Sequence, residues 1–179
     1  MKRNIFILNI IYTLIGISNG IGFYLKKDYN NLYGLVIFYV IYLFFLFLNN
    51  KLELNTKFYI FLFIVITIIL HNGLGQYFNL YLSNNWFDKV LHSIGAFAFS
   101  QLFYFLLNSK YSVELPKIYM FISVFTIGIT LGVFFEFGEF ILDIIFKSKH
   151  QHSLIDTNVD LIFNTLGSSI SGLYTMKKY

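Results

Sequence analysis

Residues 57–77 read Lys57-FYIFLFIVITIILHNGLGQ-Tyr77, with no charged residue between Phe58 and Leu70. A helix needs about 20 mostly apolar residues to cross the hydrocarbon of a bilayer, and this stretch supplies them. Its first imidazole is His71, close to the end of the run. Working outward, similar runs lie at 4–25, 32–48, 86–107, 117–146 and 158–176. The pattern predicts an all-α polytopic integral membrane bundle of about six transmembrane helices, with residues 1–179 as a single transmembrane domain.

Composition supports the same class. Of 179 residues, 57% are hydrophobic, 21% aromatic and only 12% charged, where a soluble domain carries about a quarter charged residues. Cysteine is absent, which removes disulfides, thiol nucleophiles and thiolate metal ligands. The net charge of +4 comes from lysines that flank apolar runs in ones and twos. No basic stripe or tail suggests nucleic acid, so these charges read as topology signals and contacts to anionic lipid.

Lys2 and Arg3 precede the first run, but Ser18 and Gly20 make a poor cleavage site and the run continues to Leu25, so it reads as a retained helix. With the N-terminus in the cytoplasm, that side carries Lys2, Arg3, Lys51, Lys57, Lys110, Lys117, Lys177 and Lys178, and the other Lys26, Lys27, Lys89, Lys147 and Lys149. This bias predicts a multi-pass protein of the plasma (inner) membrane with both termini cytoplasmic. The second run, the least interrupted, is expected to face lipid, and Pro116 opens the fifth, where a helix start tolerates it.

Against this background the polar residues inside the spans stand out: His71, Asp88, His92, Glu136, Glu139, Asp156 and Asp160. Ionisable groups are costly at bilayer depth and survive where they pair, bind an ion or line a polar cavity. Alternating crossings bring the end of span three, the start of span four, the end of span five and the start of span six to one membrane face. Spacing sharpens the convergence: Asp88 and His92 lie four apart, Glu136, Glu139 and Asp143 step by three and four, and Asp156, Asp160 and Asn164 by four and four. Gly167, Ser168 and Ser171 continue the last stripe with small residues that let helices approach, as do Gly128, Gly132 and Gly95 on the neighbouring spans.

Several carboxylates in one low-dielectric pocket need a cation, shared protons or basic partners. Lys89 and the histidines are the local bases, and a divalent metal cation held by His92, Glu136, Glu139, Asp156 and Asp160 is an economical solution. In a catalytic reading Asp88, His92 and Glu139 carry the chemistry, with Asp88 orienting His92. The alternative is a buried hydrogen-bond network that orients four helices, with Asp156 or Thr157 capping span six and His71 satisfying backbone where Gly73 and Gly75 loosen span three. His150 and His152, in the segment Lys147-Ser-Lys-His-Gln-His152, read as solvated loop residues outside the core site.

His71-Asn-Gly-Leu-Gly-Gln-Tyr77, Phe87-Asp-Lys-Val-Leu-His92 with Gly95, Phe135-Glu-Phe-Gly-Glu139, and Asp156-Thr-x-x-Asp160 with Asn164 and Gly167 resemble, in that order, the YjdF-like bacterial membrane proteins (domain of unknown function 2238). The pattern is also similar, more broadly, to VanZ-like proteins of the cell envelope. Those tend to show Glu-x-x-Gln and a following arginine, where this chain has Glu136-x-x-Glu139 and no arginine. The resemblance implies a small polytopic membrane protein and supplies no reaction. Three functions stay open: a metal-dependent enzyme acting on an envelope lipid or lipid-linked substrate, a transporter or ion or proton pathway, and a non-catalytic structural or envelope-stress protein.

Overall fold

The computed structural model describes residues 3–54, 56–111, 114–146, 151 and 153–178. Every regular element among them is helical: α1 Arg3–Leu25, α2 Tyr29–Lys51, α3 Phe58–Ile69 running into a π-helical segment Leu70–Tyr77, the short α4 Leu80–Ser83, α5 Phe87–Tyr111, α6 Lys117–Phe146 and α7 Leu154–Lys178. By length and composition five of the described helical stretches suffice to cross a membrane: α1, α2, α3 with its π-helical continuation, α5 and α6. The family of expected spans therefore holds as an all-α membrane bundle, with α7 as a special case. At 25 residues it is long enough, but it buries Asp160, Asn164, Ser168, Ser171 and Thr175. A helix whose polar stripe faces its partners need not be apolar all round.

The chain forms two compact units, residues 1–87 and 88–179. In the first, Lys27 adopts a left-handed conformation with φ 58° and Asp28 caps α2 through the Asn31 amide, so α1 and α2 join by a tight turn. Polar bonds then tie the two helices: Tyr42 donates to Asn9 Oδ1 at 2.5 Å, and the Thr13 and Tyr39 hydroxyls pair at 2.8 Å. Bonds of this kind hold transmembrane helices together where the hydrophobic effect cannot. Otherwise α2 buries only Tyr42. The π-helical turn packs its Tyr77 ring against Gly22, where no larger residue would fit, and Lys26 donates to the Tyr77 carbonyl at 2.9 Å.

In the second unit α5 and α7 run parallel and α6 runs antiparallel to both. The register follows from the contacts. Lys89 meets Asp156 and Asp160, Ser93 meets Gly167, and Gln101 meets Ser171 and Thr175 along α5 and α7. Gly132 faces Asn164, Gly128 faces Ser168 and Phe121 faces Gly172 between α6 and α7. The helices approach closely because small residues line the seam, and the Gln101 amide donates to the Ser171 carbonyl, the Ser171 hydroxyl and the Thr175 hydroxyl across it.

A Cβ on Gly167 would overlap the Ser93 backbone, whereas one on Gly138 would meet nothing within 4 Å. Gly167→Ala is expected to destabilise the protein by about 1–3 kcal/mol, the usual cost of overpacking. Gly138→Ala is expected to lose nothing, since alanine is the better helix former. Unfolding curves of the two variants in the same detergent test the contrast.

Candidate cation site

At one end of the second unit the start of α5, the end of α6 and the start of α7 bring their acidic residues together. Lys89 lies at the centre. Its side chain is 9% exposed, and its Nζ sits 3.0 Å from Asp88 Oδ2, 2.5 Å from Asp156 Oδ1, and 2.8 and 2.9 Å from the two oxygens of Asp160. Three carboxylates from two helices thus share one ammonium. Lys89, counted among the outer-side lysines and as a local base for the carboxylates, heads the buried face of α5 that continues through His92, Ala96 and Ser100. Spacings of three and four residues put these four side chains on one helix face.

His92 lies one turn further in. Its Nε2 is 3.5 Å from Asp88 Oδ1 and 3.8 Å from Asp160 Oδ1, and its Nδ1 is 3.7 Å from Glu136 Oε1. The Phe135 ring meets the imidazole edge to face, with centroids 5.5 Å apart. Asp88, His92 and Asp160 each offer a ligand atom within 4.8 Å of the others. Donors 2.0–2.2 Å from a tetrahedral divalent ion stand roughly 3.3–3.6 Å apart, so the three atoms stand somewhat wider than a closed ligand set. Asn164, one turn beyond Asp160, is buried against Gly132, and its Nδ2 has no hydrogen-bond acceptor among the described residues.

Glu136 is 3% exposed; Gln151 donates to its Oε2 at 3.3 Å and to its carbonyl at 3.1 Å, while its Oε1 has no hydrogen-bond donor among the described residues. Glu139, one turn along α6, is half-buried and enters no ion pair with a described base. Asp143 accepts the Gln151 amide at 2.8 Å.

Two sequence readings change here. Asp156 and Thr157 do not cap α7; Ser153 does, accepting the Asp156 amide on its hydroxyl at 3.1 Å and the Thr157 amide on its carbonyl. Asp156 is left to pair with Lys89. His71 belongs to the first unit, where its ring meets side chains, the Tyr81 hydroxyl at 2.5 Å and the Gln76 amide at 3.1 Å. The glycine-rich turn it sits in is π-helical, a geometry that often marks functional positions. His150 and His152 lie outside the described residues.

Comparison with known proteins adds the family. The family model described as "Predicted membrane protein (DUF2238)" matches residues 5–178. The chain belongs to this family. A relative by sequence, an "Uncharacterized protein" of Thermotoga maritima, is 36% identical over 115 residues. That alignment takes in 63% of this chain and 56% of the relative, so the chain spans little more than half of the curated relative it matches. No solved structure matches. The DUF2238 chain is thus a multi-pass membrane protein, and the chemistry rests on the site itself.

Removing a partner from a buried ion pair leaves an uncompensated charge and costs about 3–5 kcal/mol, against about 1 kcal/mol for an exposed pair. The Asp160 side chain is 3% exposed and that of Asp156 is 20%. Asp160→Asn is therefore expected to destabilise the protein more than Asp156→Asn, by at least about 2 kcal/mol; equal losses in detergent unfolding would contradict the burial order.

Proposed function

We propose that this protein is a membrane-embedded metal-dependent enzyme, with a divalent cation held by Asp88, His92 and Asp160, acting on an envelope lipid or lipid-linked substrate. The observation that carries the reading is the convergence of three ligand atoms within 4.8 Å beside a buried glutamate oxygen that has no donor among the described residues. Such an oxygen is costly to bury unless something completes it. The donor set, two carboxylates and an imidazole, suits a borderline or hard divalent ion such as zinc or manganese.

When bound, the ion supplies an activated water or polarises a phosphoryl or acyl oxygen, which explains how a chain without cysteine dispenses with a thiol nucleophile. Glu136, beside His92 Nδ1, orients the imidazole or completes the ligand set. Glu139, half-buried one turn along α6, is placed to accept a proton from a water or hydroxyl. Exposed Phe134, Phe137, Phe140 and Ile141 surround these glutamates on α6, a surface that suits a lipid-borne substrate. The lysine bias of the sequence favours the site at the extracytoplasmic face, with both termini in the cytoplasm.

A second reading has its own observation. The ion pairs of Lys89 with Asp156 and Asp160 join α5 to α7, so the cluster can serve as a helix lock in a structural protein. A transporter finds less support: among the described residues of the second unit the buried ionisable groups Lys89, His92, Glu136 and Asp160 gather at one end, and hydroxyl and amide side chains fill the seam beyond them.

Metal analysis of protein purified without chelator, then supplied with zinc or manganese, is expected to give close to one ion per chain, lost in Asp160→Asn and His92→Asn. Lipid profiles of a deletion strain should shift and be restored by wild-type protein but not by these variants. A folded, metal-free protein whose cluster variants restore the lipid profile would sink the enzyme reading.

A further inference from the structure

We infer that Lys89 is a tethered competing cation, whose ammonium occupies part of the anionic field of the Asp88–His92–Asp160 site and so limits how tightly that site holds a divalent ion. The inference rests on the cation-site reading above and concerns its regulation. Its basis is how the carboxylates are shared. Asp88 turns Oδ2 to Lys89 at 3.0 Å and Oδ1 to His92 at 3.5 Å. Asp160 directs Oδ2 to Lys89 at 2.9 Å, while its Oδ1 lies 2.8 Å from Lys89 and 3.8 Å from His92. An ion beside His92 would draw on the same two carboxylates that neutralise the ammonium.

Two effects of Lys89 on that ion oppose each other. By holding Asp88 and Asp160 it orders two ligands, which favours binding. By its charge, a few ångströms from the ion and in surroundings far less polarisable than water, it repels. The repulsion is the larger effect, because both carboxylates stand on packed helices and little freedom remains for Lys89 to remove. Asp156 completes the device. It pairs with Lys89 at 2.5 Å, is more exposed than Asp160, and is not one of the three converging ligands. It gives the ammonium a place to withdraw when an ion takes Asp160. Glu136 Oε1, buried beside His92 and lacking a donor among the described residues, marks the side from which the ion is completed.

The experiment is a Mn2+ titration of full-length wild type, Lys89→Gln and the double variant Lys89→Gln/Asp160→Asn in detergent, followed by magnetic resonance of the bound ion, with thermal unfolding alongside. The expected result is at least tenfold tighter Mn2+ binding by Lys89→Gln than by wild type, abolished in the double variant. Lys89→Gln should also be less stable than wild type without metal and recover when Mn2+ is added. Binding by Lys89→Gln with none by wild type supports the competition and removes the metal-dependent function of the native protein. Equal or weaker binding by folded Lys89→Gln overturns the competition and leaves the function standing if wild type binds. No binding by any folded form overturns both. If Lys89→Gln does not fold, the wild type decides: the Lys89 ammonium resonance of protein labelled with 15N-lysine should shift or exchange faster on adding Zn2+, and an unchanged resonance at saturating Zn2+ overturns the inference.

Discussion

The second unit depends on one constraint, the neutralisation of several carboxylates that the sequence places at adjoining helix ends. Lys89 answers most of it, pairing with Asp88 on its own helix and with Asp156 and Asp160 on α7. Away from water a lone carboxylate is expensive, and a shared ammonium offsets the cost only while all partners hold their positions. The pairing therefore acts as a register mark between α5 and α7. Everything inward follows the same register: Ser93 against Gly167, then Gln101 against Ser171 and Thr175.

One lysine does not balance the whole cluster. Glu136 reaches His92 from the third helix at 3.7 Å, beyond hydrogen-bond length, with its other oxygen held by Gln151. On its other side α6 lies close against α7, where Gly128 and Gly132 face Ser168 and Asn164. The result is an imidazole with carboxylates at both nitrogens, each slightly too far for a direct bond. Such spacing suits a small ion or a water-sized ligand between them.

The first unit obeys the same physics without a charge cluster. Its helices are tied by hydroxyls and amides, Asn9 with Tyr42, Thr13 with Tyr39, and His71 with Tyr81. Neutral polar bonds of this kind hold helices in lipid at little desolvation cost. The π-helical widening at Leu70–Tyr77 places Tyr77 on Gly22 and leaves room for Tyr81 against Gly75.

The sequence by itself determined the class and the approximate course of the long helices, and it marked Asp88, His92, Glu136, Asp156 and Asp160, because these depend on apolar run length and on period-3.6 spacing, both local properties. It also marked the small residues at 128, 132 and 167 that the helices use to approach. Tertiary structure alone decided which side chains pair. Local spacing put Lys89 beside Asp88 but could not reveal that α7 would present Asp156 and Asp160 to the same ammonium, nor that Ser153 would cap α7 and free Asp156 for that role. Spacing likewise grouped Glu136 with Glu139, yet only Glu136 turns to His92, since a helix rotates successive turns and the α5 contact selects one of them. Partner choice is a property of the three-helix register, and that register is set by where backbones can touch.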